Sequence, residues 1–232
     1  MSLSTQRNEG DALLEGNFYT STHLMERKRN IRFYLMTKRA IDIIGAAVGL
    51  VLLSPLFFIV AILIKMEDPK GPVFFQQTRV GKHQRAFRMY KFRSMVSNAE
   101  ELLKDLLAKN EIQGAMFKMK DDPRITRIGK FIRRTSIDEL PQLWNVIRGD
   151  MSLVGPRPPL PREVEEYTTY DKRRLLVQPG CTGLWQVSGR NNLGFSEMVE
   201  LDITYIRERT LFYDFKIILK TIRVLFGAKD AF

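Results

Sequence analysis

The chain has 232 residues, enough for one core or for one domain with appendages, and carries a net charge of +11 with a pI near 9.8. That balance implies an anionic partner, whether nucleic acid, a membrane surface or phosphorylated small molecules. The single cysteine, Cys181, excludes an intramolecular disulfide and points to a reducing cytosolic setting; two histidines far apart, His23 and His83, exclude a Cys/His zinc site.

Residues 1 to about 20 are polar and aperiodic and read as a loose tail, followed by a basic helical lead-in over residues 22–40. Next comes "IIGAAVGLVLLSPLFFIVAILI", Ile43 to Ile64, 22 residues without a charge. At about 1.5 Å per residue such a run can cross a hydrocarbon core of roughly 30 Å. It starts too late and runs too long for a secretory signal. Two features argue against a simple span. Ser54-Pro55 breaks the run at its middle, where proline removes a helical hydrogen bond. Both flanks are also basic: residues 1–64 hold 7 Lys/Arg against 5 Asp/Glu, and residues 65–232 hold 30 against 21. A hairpin re-entering the same face satisfies both observations, while a kinked span accounts for the proline alone. Asp42, at the mouth of the run, is costly to bury unpaired and is expected to meet Lys38 or Arg39.

"GPVFFQQTRVGKHQRAFRMYKFRSM" predicts a β-hairpin, Val73 to Thr78 and Arg85 to Phe92 about a turn at Gly81. In "YKFRSM" the alternation puts Lys91 and Arg93 on one face of the second strand and Phe92 on the other. "NAEELLKDLLAKN" reads as a short amphipathic helix with Leu102, Leu103, Leu106 and Leu107 on one side. "DDPRITRIGKFIRR" reads as a helix capped by Asp122 with Pro123 at its first position. Its Ile125, Ile128 and Ile132 share one face, and Arg124, Arg127 and Arg134 another.

"TSIDELPQLWNVIRGDMSLVGPRP" sets Asp138 and Glu139 side by side in this basic chain. Ser136-x-x-Glu139 matches a capping box, in which Glu139 would only bond the Ser136 amide. Pro141 speaks against that, because it would fall in the second turn of such a helix. It fits a first turn better, with Leu140 before it extended. The two carboxylates then lie at or just before a helix N-terminus, a place that also attracts phosphate. An acid pair there among arginines suits phosphoryl chemistry with a divalent cation. One carboxylate attacks or holds the metal, the other handles a proton, and the arginines neutralise phosphate oxygens.

Arg157 is fixed between two prolines in "GPRPP", a rigid presentation that a merely solvated arginine does not need. "QPGCTGLWQVSGRN", Gln178 to Asn191, is a glycine-rich loop with Trp185 and Arg190, suited to a base or sugar with its phosphate. It matches no P-loop or dinucleotide fingerprint. The last element, "LFYDFKIILKTIRVLFG", places Leu211, Phe215, Ile218, Ile222 and Leu225 on one helical face and Lys216, Lys220 and Arg223 opposite. Beside an apolar segment, such a basic amphipathic helix is expected at an anionic membrane interface. The elements add up to an α+β, helix-dominated chain in three parts. These are a tail and lead-in over 1–37, a re-entrant membrane hairpin over 38–65, and a catalytic domain over 66–232 that carries the small β-hairpin and the interfacial helix.

Together the motifs resemble the monotopic phosphoglycosyl transferases, the bacterial sugar transferase family that starts glycoconjugate synthesis on a polyprenyl phosphate carrier. The resemblance runs from about Lys38 to Phe226. It rests on "KRAID", the Ser54-Pro55 break, "KFRSM", "DPRITRIGKFIRRTSIDELPQLWNVIRGDMSLVGPRP" and "PGCTGLWQVSGR". It implies Mg²⁺ dependence, a re-entrant helix turning at Ser54 and Pro55, and a domain on the cytoplasmic face of a bacterial plasma membrane. It also implies a two-step reaction from a UDP-sugar to polyprenyl phosphate through a phosphosugar-aspartate, releasing UMP. By motif position Asp138 corresponds to the nucleophile and metal ligand, and Glu139 to its acidic partner. Lys91, Arg93, Arg133, Arg157, Arg190 and Asp202 fall at substrate and phosphate contacts. A homodimer is compatible with the pattern, and the sugar and the polymer served are left open. Two other readings compete: a membrane-anchored nucleic-acid-binding module, against which no helix-turn-helix, zinc or RNA-binding signature is found, and a metal-dependent lipid phosphatase with water as acceptor.

Overall fold

The computed structural model describes residues 31–99, 101–102, 122–189 and 193–227, which fall into two compact units, Met1–Ile41 and Asp42–Phe232. Of the first unit, residues 31–41 are helical. The predicted tail, the lead-in before residue 31, Leu103, Leu106, Leu107 and Arg190 lie outside the described residues.

Helix α1 (Ile31–Leu52) and helix α2 (Ser54–Glu67) meet at a bend of 58°. Pro55 has no N–H for the Val51 carbonyl four residues back, and the Ser54 hydroxyl donates to that carbonyl instead, at 2.8 Å. The serine thus satisfies the acceptor that the proline orphans. Among the described residues no single helix is long and apolar enough to cross a membrane, but the bent pair passes that test together. Val60 and Ile64 of α2 are buried, whereas Phe58 and Met66 stand 69% and 75% exposed. Asp42 is buried, and its carboxylate accepts the Leu153 amide at 3.0 Å, a backbone partner that the sequence did not suggest.

The hairpin forms as predicted to within two residues. Strands β1 (Phe74–Val80) and β2 (Ala86–Phe92) pair antiparallel, Phe74 opposite Phe92 and Val80 opposite Ala86. Phe92 packs with Val60, Ile64 and Ile132, so β2, α2 and the next helix share one core.

That helix, α3 (Arg127–Arg134), starts later than predicted. Asp122 does not cap it, because the Asp122 carboxylate is taken by the Arg124 guanidinium and amide, and Ile125 closes only a single turn onto the Asp122 carbonyl before bridging Met95. Thr126 is the cap, its Oγ1 accepting the Gly129 amide at 2.9 Å. Arg124 therefore stands off the helix rather than on its basic face.

The capping box at Ser136 does not form. Ser136 is left-handed (φ 56°, ψ 17°) and makes no side-chain cap. A 3-10 turn, Ile137–Glu139, runs straight into helix α4 (Gln142–Arg148) with Pro141 at its N-cap. Leu140 is helical rather than extended (φ −56°, ψ −33°), because its amide closes that turn onto the Ile137 carbonyl at 3.2 Å.

After α4, strand β3 (Ser152–Val154) pairs in parallel with β4 (Gly180–Thr182), Ser152 opposite Gly180 and Val154 opposite Thr182. Helix α5 (Pro161–Glu165) lies between them in sequence, and helices α6 (Phe195–Glu208) and α7 (Leu211–Gly227) close the chain. The described residues thus make a helix-dominated fold with two small two-stranded sheets. Helix α7 divides its predicted apolar face. Ile218 of that face packs on a core that also holds Ile217, a residue outside the predicted face, and the Tyr205 hydroxyl donates to the buried Asp214 on α7. Phe212, Phe215, Leu219 and Ile222 remain exposed as an unbroken stripe at i, i+3, i+7, i+10. The side chain of Leu225 lies outside the described residues.

Candidate active site

The two acids sit on the 3-10 turn between α3 and α4, and Glu139 lines a cleft whose other walls come from the β1/β2 hairpin, α4, the Arg157-Pro158 segment and the stretch 180–186. Ser136 makes this placement possible. Its left-handed backbone reverses the chain directly after α3, at a cost of about 1–2 kcal/mol for a residue with a β-carbon. The turn then presents Asp138 and Glu139 to different surroundings, although they are neighbours.

Asp138 is 8% exposed. Burial pushes its carboxyl up to about 6, opposed by the positive charges of Lys91 and Arg133 and reinforced by the negative charge of Glu139. It is more basic than an ordinary aspartate, yet ionised at neutral pH. Glu139 goes the other way. Burial favours its neutral form, but Lys91, Arg157 and Arg79 outweigh that and hold it below the usual range. Lys91 Nζ donates to Glu139 Oε1 at 2.6 Å. The strand supplies this lysine in fixed register: Asn145 on α4 accepts the Tyr90 amide at 3.0 Å and donates to the Arg88 carbonyl at 2.7 Å, clasping β2 where Lys91 leaves it.

The cleft is lined by Arg79, Met89, Glu139, Gln142, Arg157 and Pro158, and by Gly180, Cys181 and Gln186. Burial pushes the Cys181 thiol up, so it stays protonated and inert. Arg157 is half-buried between two buried prolines, and its segment is pinned from both sides. Val80 donates to the Pro159 carbonyl at 2.9 Å and Arg79 Nη1 to the Pro158 carbonyl at 3.1 Å, while Gly180 donates to the Pro156 carbonyl at 2.9 Å. The glycines of both motifs serve this contact. A β-carbon at Gly180 would lie 2.0 Å from the Gly155 nitrogen, so the strands meet only because neither carries a side chain.

Lys91, Arg133 and Arg157 are therefore gathered around the acid pair. Arg93 and Asp202 are not. The Arg93 guanidinium is spent on Asp68, reaching its carbonyl at 2.5 Å and its carboxylate at 3.3 Å. Asp202 is fully buried and ion-paired to Arg174, which also donates to the Tyr167 hydroxyl at 3.0 Å; this network ties the 3-10 stretch Asp171–Leu176 to α6. Trp185 opens a 3-10 turn beside the cleft-lining Gln186.

Arg79 was not among the candidates read from sequence. It is buried, and burial together with the nearby Arg157 lowers its pKa to about 10, so it remains a cation. The available signal was an arginine at the inner end of a strand, facing a proline segment whose carbonyls need donors that prolines cannot supply. Arg79 and Arg157 against the ionised Glu139 leave this cleft with surplus positive charge, suited to phosphate oxygens.

Residues 33–228 match the family model described as "Bacterial sugar transferase". The chain is 53% identical over 210 residues to "Galactosyl transferase CpsE" of Streptococcus agalactiae, with 86% of this chain and 46% of that protein covered. It is 46% identical over 209 residues to "Undecaprenyl-phosphate galactose phosphotransferase" of Salmonella typhimurium, covering 88% and 43%. The chain thus spans less than half the length of these two relatives. Against "Exopolysaccharide production protein ExoY" of Rhizobium meliloti it is 42% identical over 191 residues, covering 81% of this chain and 84% of that one. The shared span runs from α1 through the acid turn and both strand pairs to α7, and on it the chain belongs to the bacterial sugar transferase family.

Proposed function

We propose that this chain transfers a sugar 1-phosphate from a UDP-sugar to polyprenyl phosphate, by way of a phosphosugar-aspartate on Asp138. The observation that carries the reading is the contrast within the acid pair. Two adjacent carboxylates in environments that push their pKa values apart are the mark of two roles. A relative named for undecaprenyl-phosphate galactose phosphotransfer supports the acceptor class.

In the first step an Asp138 oxygen attacks the sugar-side phosphorus, the diphosphate P–O bond breaks, and UMP leaves with the electron pair. In the second, a polyprenyl phosphate oxygen attacks the same phosphorus and Asp138 is released as a carboxylate. Glu139, held ionised by Lys91, can accept a proton from the incoming phosphate but not supply one. Arg157 and Arg133 offer forked donors to the phosphoryl oxygens. Mg²⁺ fits the donor set, since it is usually held by one or two carboxylates together with substrate phosphates. Among the described residues no cluster of three or more His, Cys, Asp or Glu would hold an ion alone. Bound at Asp138, Mg²⁺ would neutralise charge on the diphosphate.

The test is a single-turnover assay. Enzyme with UDP-sugar and Mg²⁺ but no acceptor should release up to about one equivalent of UMP and retain a sugar phosphate. Steady-state double-reciprocal plots should be parallel. Intersecting lines with no UMP before acceptor is added would exclude the covalent route, and UMP-independent release of phosphate from a lipid would favour the phosphatase.

The bent α1/α2 pair is read as a re-entrant membrane hairpin with the domain on the cytoplasmic face, which the exposed apolar sides of both helices and the stripe on α7 support. In a Cys181→Ser background, single cysteines at Thr20 and at the exposed turn residue His83 should both resist a membrane-impermeant thiol reagent in intact cells. Labelling at Thr20 alone would mean a spanning helix.

A further inference from the structure

Helix α2 ends in two acids, Glu67 and Asp68, and neither faces solvent alone. Glu67 Oε1 accepts the Arg127 amide at 2.6 Å and Oε2 the Ile128 amide at 2.9 Å, the first two orphan donors of α3. With Thr126 on the Gly129 amide and its own amide on the Ser94 carbonyl at 3.2 Å, that helix start is fully satisfied, and two of its four bonds come from a residue some sixty positions earlier. Asp68 accepts the Ser97 amide at 2.8 Å and the Lys70 amide at 3.2 Å and pairs with Arg93. Gly71 leaves the space for this: a β-carbon there would lie 1.5 Å from Arg93 Nη1.

Both partners lead to the acid pair by short rigid paths. From Arg127, α3 runs about 12 Å to Arg134 and the chain turns at once into Asp138. From Arg93, two residues back along the strand is Lys91, bonded to Glu139. Val60 and Ile64 of α2 pack on Phe92 of the strand and Ile132 of α3, with Ile137 beside Asp138 in the same cluster. The end of the apolar helix is thus bolted to both supports of the reacting carboxylates.

We propose that Glu67 and Asp68 form a joint that fixes the acid pair at a set distance from the membrane-facing helix, so that it meets the phosphate of an acceptor confined to the bilayer. The inference rests on the acceptor reading above. Both acids are positioning residues, acting through α3 and Arg93. The donor, arriving from solution, does not depend on this distance.

The test compares two acceptors. Full-length Glu67→Ala and Asp68→Asn enzymes are assayed with a long-chain polyprenyl phosphate in phospholipid vesicles and with a short-chain prenyl phosphate in detergent, where no fixed height is needed. The apparent KM for the long-chain acceptor should rise about fivefold or more. The KM for UDP-sugar and the short-chain rate should stay within about twofold, and Glu67→Gln, which still accepts one amide, should fall between. Hydrogen exchange at the Arg127 and Ile128 amides should quicken in Glu67→Ala, showing that the contact itself is lost. An equal fall with both acceptors would make the residues merely structural, and wild-type behaviour in both variants would leave the height to α2 packing; either overturns the joint alone. A wild-type enzyme that transfers to neither acceptor would overturn the acceptor reading and the joint with it.

Discussion

Asp138→Asn should abolish the release of UMP in the absence of acceptor and leave no sugar phosphate on the protein. The substitution keeps the side chain's size, so the buried turn should hold, but an amide oxygen is a poor nucleophile. Losing the covalent step should cost roughly 10³-fold or more in turnover. Glu139→Gln separates the two roles. If Glu139 accepts a proton in the second step, its loss should slow turnover by about 10²–10⁴ while the first step still labels Asp138, so the adduct accumulates. Mass analysis of the intact protein after mixing with UDP-sugar reads this directly. Failure of both variants to label would instead make Glu139 part of the first step, as a metal ligand would be.

Arg157→Lys should be nearly as damaging as removal of the side chain, losing about 10²-fold in kcat/KM although the charge is kept. The reason is geometric. The prolines on either side and the Arg79 and Val80 bonds to the Pro158 and Pro159 carbonyls hold the backbone still. A lysine there cannot shift to replace a two-pronged contact. Thermal unfolding of the variant should match the parent, because Arg157 is only half-buried. Arg127→Ala is the control. Its side chain is exposed, the backbone amide that Glu67 uses is retained, and its activity should stay within about twofold. Near-normal turnover by Arg157→Lys would return this arginine to the solvated surface.

The sequence by itself was enough for several features whose cause is local. The Ser54-Pro55 break follows from a missing amide, the hairpin from alternation about Gly81, and the position of the acids just before a helix from the steric demands of Pro141. Local rules also misled where a second near neighbour competed for the same group. Asp122 has the composition of a cap, yet Arg124 offers it a charged partner two residues away, so the helix waits for Thr126. Leu140 should be extended before a proline, yet the turn that carries the acids closes through its amide. Only the tertiary structure separated the arginines: spacing cannot tell Arg157, with unspent donors in a cleft, from Arg93, pinned to Asp68. It likewise exposed Arg79, whose worth depends on a proline segment 79 residues away in sequence. The split between Asp138 and Glu139 belongs to the same class. Adjacent carboxylates have nearly equal intrinsic acidity, and burial raises both; what divides them is that the Lys91 contact, together with Arg157 and Arg79, outweighs burial at Glu139, whereas burial prevails at Asp138, and none of these surroundings exists until the chain is folded.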